Sequence, residues 1–156
     1  KDGCGSCLRA DSLRSGDLVY SPTLRRLVTI VATTRQLLID APMCFLEKPF
    51  HDGLWITFEH PVCMPQNNWV RPTTLAATRR KTMTVCNFVL SEGGSYMANG
   101  WPVLSLGDNA AAGISPIHPC YHRFWGAQPV IDHFRKEPTW PDVELDPCVW
   151  REEEVV

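Results

Sequence analysis

Leu54-Trp55-Ile56-Thr57-Phe58-Glu59-His60-Pro61-Val62 is the stretch from which the fold can be read. Side chains of a strand alternate between its two faces, so this apolar run predicts a strand with one face buried in a sheet. Pro61 ends ladder pairing just beyond His60. The sequence therefore predicts that the Thr57 hydroxyl and the His60 imidazole lie together at a strand end, as an acid–base pair acting on a peptide bond would. The same pattern is also typical of a histidine that ends a strand without a catalytic role.

The composition is that of an ordinary globular protein. The chain has 156 residues, of which 44% are hydrophobic and 21% are charged, and its net charge is −2. This length suits one domain with a real core, and this charge gives no reason to expect nucleic acid or an anionic membrane as partner. No apolar run approaches the roughly 20 residues that cross a bilayer. Since the first residue is Lys1, we expect the chain to be a piece of a longer protein.

The cysteines indicate a reducing compartment. There are seven, an odd number, in a chain that is not small, and four of them lie in apolar or strand-like contexts. Reduced thiols fit this pattern better than a disulfide framework does, so we expect a cytoplasmic protein. The seven are Cys4, Cys7, Cys44, Cys63, Cys86, Cys120 and Cys148.

Short β-rich runs separated by turn residues predict an all-β fold. Asp40-Ala41-Pro42 is interpreted as a break between strands. Asn99-Gly100 is the best two-residue hairpin signal, and Thr82–Leu106 around it is predicted to form a β-meander. The clearest runs are Leu18–Tyr20, Leu27–Ala32, Gln36–Ile39, Met43–Leu46, Thr82–Leu90, Ser95–Ala98 and Trp101–Leu106.

The character of the chain changes after about residue 110. One amphipathic helix is predicted near residues 127–136, because apolar residues recur there at helical spacing. We therefore expect a β core over residues 1–110 and an extension over residues 111–156, which ends in a proline-rich strap with an acidic tail. The apolar residues of the helix are Val130, Ile131 and Phe134, and the tail contains Glu152, Glu153 and Glu154.

Cys4 and Cys7 allow three interpretations from the residues alone. A thiol near an imidazole is the nucleophile of acyl-transfer sites, and both cysteines lie in an accessible Gly-rich stretch. They are equally well surface thiols near a terminus. Cys4-x-x-Cys7 with His118 or His122 is also a half-matched zinc pattern, which we do not favour because it has no second tight pair. No phosphate-binding glycine loop or Gly-x-Ser-x-Gly motif is present, so we predict no cofactor and no metal.

Three stretches together resemble the Hint superfamily, which is shared by inteins and the autoprocessing domain of hedgehog proteins. They are Asp11–Val19, Ile56–Val62 and Val85–Gly107. The tail, with His118-Pro119 and Val130-Ile131-Asp132, is similar to the Vint type, found beside von Willebrand A modules in intracellular proteins. The resemblance covers most of the chain, and the order and spacing of its parts are far more specific than Thr57-x-x-His60 alone.

This resemblance implies a horseshoe-shaped β domain that attacks the peptide bond before its own first cysteine. The thiol converts that amide into a thioester, so the substrate is the protein's own chain. Thr57 and His60 match the pair that polarises and strains the bond, with the imidazole protonating the departing nitrogen. Chemically this is nucleophilic catalysis assisted by a positioned acid.

Departures from the family pattern keep a second hypothesis open. Asp2-Gly3 matches the turn that follows the nucleophile's strand, so the nucleophile is expected upstream of Lys1, with Cys4 as the candidate within this chain. Gly94 and Asp108 stand where relatives often carry histidines, and the terminal His-Asn pair of inteins is absent. We therefore weigh a self-cleaving domain against a non-catalytic Hint module that serves structure or binds a protein partner.

Overall fold

The structure, a computed structural model, describes residues 8–49, 51–106, 112–120 and 128–151. Within them nearly all of the regular secondary structure is β-strand, so the predicted all-β class is confirmed. Its only described α-helix is α1 (Gln128–Phe134), and short 3-10 turns lie at Ala10–Ser12 and Pro72–Thr74. The strands are β1 (Leu18–Ser21), β2 (Arg26–Leu46), β3 (Leu54–Thr57), β4 (Val62–Met64), β5 (Asn68–Val70), β6 (Thr78–Leu90), β7 (Ser95–Ala98), β8 (Trp101–Leu104), β9 (Asp142–Glu144) and β10 (Cys148–Val149).

The long strand β2 is the centre of a six-stranded sheet. One edge of β2 pairs antiparallel with β6, from Ile30 opposite Leu90 to Cys44 opposite Thr78. The other edge is shared by four short strands, which follow one another along β2 in the order β1, β9, β10 and β3. Of these, β9 and β10 run parallel to β2 and the other two run antiparallel.

The predicted break at Asp40-Ala41-Pro42 is wrong. Strand β2 continues through it, because the chain absorbs the irregularity as a shift of register between Leu38 and Ala41. Asp40 has a φ of 54°, a left-handed conformation that Asp tolerates better than most residues. A bulge of this kind bends a strand without ending it. The runs predicted as separate strands are therefore parts of one strand.

The second sheet has four strands in the order β5-β4-β8-β7. The predicted hairpin at Asn99-Gly100 is confirmed, since Ala98 pairs with Trp101 and both turn residues have positive φ. The predicted meander is wrong, because β6 pairs with β2 while β7 and β8 belong to this second sheet. Gly93 and Gly94, with φ of 90° and 68°, turn the chain from one sheet to the other.

The main core lies between these two sheets. It combines buried residues of β2, β3 and β6 with buried residues of β4, β7 and β8. Burial of such side chains is the dominant favourable contribution to folding. Members from the first sheet include Val28, Ile30, Leu46, Ile56 and Phe88, and members from the second include Val62, Tyr96, Trp101 and Val103.

The extension after residue 110 contains the predicted helix and two strands that the sequence did not predict. Helix α1 (Gln128–Phe134) falls within residues 127–136, and Ile131 and Phe134 pack on a second apolar cluster. The strap contains β9 and β10 where we expected irregular chain. The carboxylate of Asp142 in β9 accepts hydrogen bonds from Ser15 N (2.8 Å), Ser15 Oγ (3.1 Å) and Thr33 Oγ1 (2.9 Å). The boundary near residue 110 stays a prediction, and the acidic tail lies outside the described residues.

Candidate functional site

The turn that carries His60 joins the two sheets. Strand β3 pairs with β2 up to Thr57, which lies opposite Met43. The backbone N–H of His60 then donates to the Thr57 carbonyl over 3.1 Å, closing a four-residue turn before β4. The expectation that the strand continues to His60 is wrong, because the chain must leave the first sheet here to enter the second. The predicted placement of Thr57 and His60 at one strand end is what this turn produces.

The start of β3 is fixed from the second sheet. Gly53 has a φ of 86°, and a Cβ at this position would collide with the ring of Phe45. The Gly53 carbonyl accepts a hydrogen bond from the side-chain amide of Asn99, in the hairpin between β7 and β8. Both ends of the four-residue strand that carries Thr57 are thus tied to other elements.

The His60 ring is anchored on the backbone of β8. Its Nε2 lies 2.7 Å from the Leu104 carbonyl oxygen. A carbonyl oxygen only accepts, so Nε2 carries the proton in the neutral ring and Nδ1 carries the free lone pair. Leu104 is held on its other side as well, because its N–H donates to the Pro61 carbonyl over 3.2 Å. The ring orientation is therefore set by backbone groups of the second sheet.

The surroundings of the His60 ring favour its neutral form. Burial lowers the pKa of His60 below its ordinary value, and the hydrogen bond to the Leu104 carbonyl opposes this shift only in part. The half-buried imidazole loses part of the solvation of its charged form, which is why the neutral form is favoured. Nδ1 is then an acceptor that can take a proton during a reaction.

The Thr57 hydroxyl is a second unused group on this turn. Thr57 is half-buried. Within the described ranges its Oγ1 makes no hydrogen bond, and Nδ1 of His60 makes none either. An unused hydroxyl and an unused ring nitrogen on one rigid turn form a site that can polarise a bound peptide bond.

Four of the five described cysteines are poor nucleophiles. The thiolate is the reactive form, and burial raises the pKa of four of these thiols, so they stay protonated at pH 7. These four are Cys44, Cys63, Cys86 and Cys120. The predicted nucleophile Cys4, its neighbour Cys7 and the Asp2-Gly3 turn lie outside the described residues.

The zinc interpretation gains no support from the described part of the chain. No group of three His, Cys, Asp or Glu side chains in those ranges could hold a metal ion. His118 uses Nδ1 to accept the Cys120 N–H over 3.0 Å. Its other predicted partners, Cys4, Cys7 and His122, lie outside the described residues.

A cleft of about 330 Å³ lies elsewhere on the first sheet. It is lined by Asp11, by residues of β2, β6 and β9, and by Pro147, and inside it Arg35 lies 3.8 Å from Glu144. Neither Thr57 nor His60 lines it. We therefore do not place peptide-bond chemistry in this cleft.

The sequence did not predict two residues that contact the site. Leu104 acts through a backbone carbonyl 44 residues from His60, which no side-chain pattern reveals. Trp150 contacts Phe58 of the turn from the C-terminal strap. The one available signal was the stretch from Leu104 to Gly107, which resembles the closing hairpin of the Hint superfamily.

Comparison with known families decides the assignment. The family model named Vint, described as a Hint-domain, matches residues 3–145. The chain belongs to the Vint family of Hint domains. The match confirms the resemblance carried by Asp11–Val19, Ile56–Val62 and Val85–Gly107, and it ends before β10. No curated protein matches the chain. Among the described residues of this Vint domain, no helix is long and apolar enough to cross a membrane.

Proposed function

We propose that this Vint domain cleaves its own chain at its N-terminal junction through a cysteine thioester, with Thr57 and His60 as assisting residues. The observation that carries the proposal is the His60–Leu104 hydrogen bond of 2.7 Å. It fixes the ring and leaves Nδ1 without a partner among the described residues, and the unused Thr57 hydroxyl belongs to the same four-residue turn.

The proposed step moves an acyl group from nitrogen to sulfur. The cysteine Sγ attacks the carbonyl carbon of the preceding peptide bond, the C–S bond forms and the C–N bond breaks. Nδ1 of His60 accepts the thiol proton and returns it to the departing nitrogen, so the protons balance. The Leu104 carbonyl stabilises the imidazolium that exists between these transfers. The Thr57 hydroxyl donates to the carbonyl oxygen while negative charge builds on it.

The nucleophile of this step is Cys4 or a cysteine that precedes Lys1 in the natural protein. Burial of Cys44, Cys63 and Cys86 supports this choice, because it raises the pKa of their thiols and so disfavours the reactive thiolate. The five described cysteines are all free thiols. Free thiols support a reducing location, for which we propose the cytoplasm.

One observation favours a second candidate, a Hint module that binds a protein partner without cleaving. Gly94 occupies the turn position where relatives often carry a histidine. Its carbonyl accepts the Ser105 N–H over 2.9 Å and its φ is 68°. A glycine in this conformation serves the turn between the sheets and supplies no proton donor.

Intact mass of the precursor with its natural upstream residues, with and without dithiothreitol, separates the two candidates. Autoprocessing yields fragments that meet at a cysteine and that increase with added thiol, since the thiol attacks the thioester. A single uncut mass under both conditions would overturn self-cleavage and leave the binding module.

Substitution of His60 tests the assignment of the residue. We expect His60→Ala to abolish cleavage, because it removes the imidazole that is proposed to carry the thiol proton to the departing nitrogen. The matched control is His51→Ala, which removes an exposed histidine beside Gly100 and should leave the cleavage rate unchanged. Circular dichroism of both variants verifies the fold. Cleavage at the wild-type rate in folded His60→Ala would remove the histidine from the mechanism.

A further inference from the structure

The strap ends against the sheet edge next to the candidate site. Strand β10 pairs parallel with β2, with Cys148 opposite Leu38 and Val149 opposite Ile39. The Trp150 N–H then donates to the Ile39 carbonyl over 2.9 Å. This bond extends the pairing by one residue, so the backbone of Trp150 is fixed on β2 just before the segment that pairs with β3.

The Trp150 ring contacts the turn that carries His60. Its centroid lies 5.5 Å from that of Phe58, with an interplanar angle of 86°, an edge-to-face contact. Phe58 is the first residue of the turn after Thr57, and its ring also packs on the main core. Phe58 is therefore held between the core and the strap, which limits how the turn can move.

The indole nitrogen takes no part in this contact. Nε1 of Trp150 is buried and has no hydrogen-bond partner among the described residues. A buried donor without a partner costs free energy. Trp150 therefore contributes through the contact of its ring and not through its indole N–H. Another aromatic side chain that reaches Phe58 should be able to replace it.

The acceptor of the His60 hydrogen bond is supported by an earlier part of the same extension. Leu104 packs in a cluster with Ala112, Ile114 and Cys120. The indole N–H of Trp69, in the same cluster, donates to the Ala112 carbonyl over 3.2 Å. The extension thus contacts both sides of the His60–Leu104 hydrogen bond. Residues 112–120 pack on Leu104, and Trp150 packs on the turn that carries His60.

We propose that Trp150, which lies beyond the residues matched by the Vint family model, is a positioning residue that holds the Phe58 turn so that His60 meets the Leu104 carbonyl. Its effect on cleavage rests on the proposed function, but its effect on the His60 ring does not. In this assignment Trp150 acts through Phe58.

The state of the His60 ring is the direct test. In the full chain labelled with ¹⁵N-histidine, NMR should show His60 as the neutral tautomer protonated on Nε2. Trp150→Ala should convert this signal to a mixture of tautomers, because the His60 ring is no longer held against the Leu104 carbonyl. Trp150→Phe should restore the wild-type signal. The matched control is Trp140→Ala, which removes a half-buried tryptophan of the strap that packs on a different cluster.

Each outcome of this test bears on the proposal. A wild-type tautomer signal in Trp150→Ala would overturn it, and so would a tautomer mixture of equal size in Trp140→Ala. If Trp150→Ala fails to fold, Trp150→Leu keeps the apolar volume but lacks the aromatic edge, and the same comparison is made with it. Retention of the single tautomer in Trp150→Leu would then overturn the role of the ring.

Cleavage gives the second measurement, in the precursor with its natural upstream residues. We expect Trp150→Ala to slow cleavage on the order of 10- to 100-fold and Trp150→Phe to cleave within a few-fold of wild type. An unchanged rate in Trp150→Ala would overturn the positioning role. A wild-type precursor that does not cleave would reject the proposed function instead, and the tautomer measurement would still decide where Trp150 acts.

Discussion

The two edges of β2 are built in different ways. One edge is covered by the single strand β6 over most of its length. The opposite edge is covered by β1, β9, β10 and β3, each two to four residues long and drawn from distant parts of the chain. We call the first the continuous edge and the second the composite edge. The candidate site lies on the composite edge, because β3 leads directly into the turn with His60.

The continuous edge contributes most to stability, whereas the composite edge carries the candidate site. On the continuous edge, long pairing buries side chains between the sheets, as Phe88 of β6 does. On the composite edge, strands this short are not stable alone and depend on specific side-chain contacts, those of Asp142 and Trp150. We therefore expect the composite edge to open first in local unfolding.

The largest effect is expected on the continuous edge. Phe88 is 2% exposed, and its ring lies 5.1 Å from that of Tyr96 across the core. Phe88→Ala should lower the free energy of unfolding by about 3–5 kcal/mol, through lost burial and the cavity that remains. Urea unfolding measures this. Val31→Ala, at an exposed position of β2, is the control and should change it by about 0.5 kcal/mol or less. Equal costs in the two variants would contradict the contrast between core and surface.

A smaller effect is expected from the bond network of the composite edge. Asp142→Ala removes three hydrogen bonds and leaves the hydroxyl of Thr33, which is 3% exposed, without its acceptor. The expected cost is about 2–3 kcal/mol, with faster amide exchange in β9 than in β6. Glu144→Ala in the same strand removes only a 3.8 Å ion pair with Arg35 and serves as control. Equal acceleration of exchange in β6 would show that the two edges unfold together.

A pH effect on stability follows from His60. Burial lowers the pKa of His60 in the folded state below 6.5, so the unfolded chain binds the proton more readily. Stability from the neutral ring is fully present above pH 6.5 and is lost as the pH falls below that value toward the folded pKa. Urea unfolding between pH 5 and 8 should show wild type losing stability relative to His60→Gln on acidification. Parallel curves for the two proteins would contradict a lowered pKa.

The continuous edge was largely predicted from the sequence, whereas on the composite edge only β1 and β3 were predicted. Strand β6 was predicted over Thr82–Leu90 from its β-branched residues, and only its start at Thr78 was missed. Asp40 and Pro42 suggested a strand end, but pairing with β6 carries the chain through them as a bulge. Strands β9 and β10 form only because β2 offers them a partner, so their two or three residues carry no local signal.

The candidate site also has a part that the sequence predicted and a part that it did not. Thr57 and His60 are three residues apart, and a local pattern predicted that they share one strand end. The Leu104 acceptor and the Trp150 contact depend on how separate parts of the chain meet in space. Such contacts are set by tertiary packing and leave no periodicity to detect.

The smallest effect is expected from an exposed ion pair that precedes β1. Arg9 and Asp11 form two hydrogen bonds of 3.0 Å, but their side chains are 85% and 45% exposed. Water and salt screen such a pair, and holding two side chains together costs entropy. Arg9→Ala should therefore leave the urea midpoint unchanged within error, at low and high salt. A loss comparable to that of Asp142→Ala would mean that the Arg9–Asp11 pair anchors the composite edge, a role that the structure gives instead to the hydrogen bonds between Ser15 and Asp142.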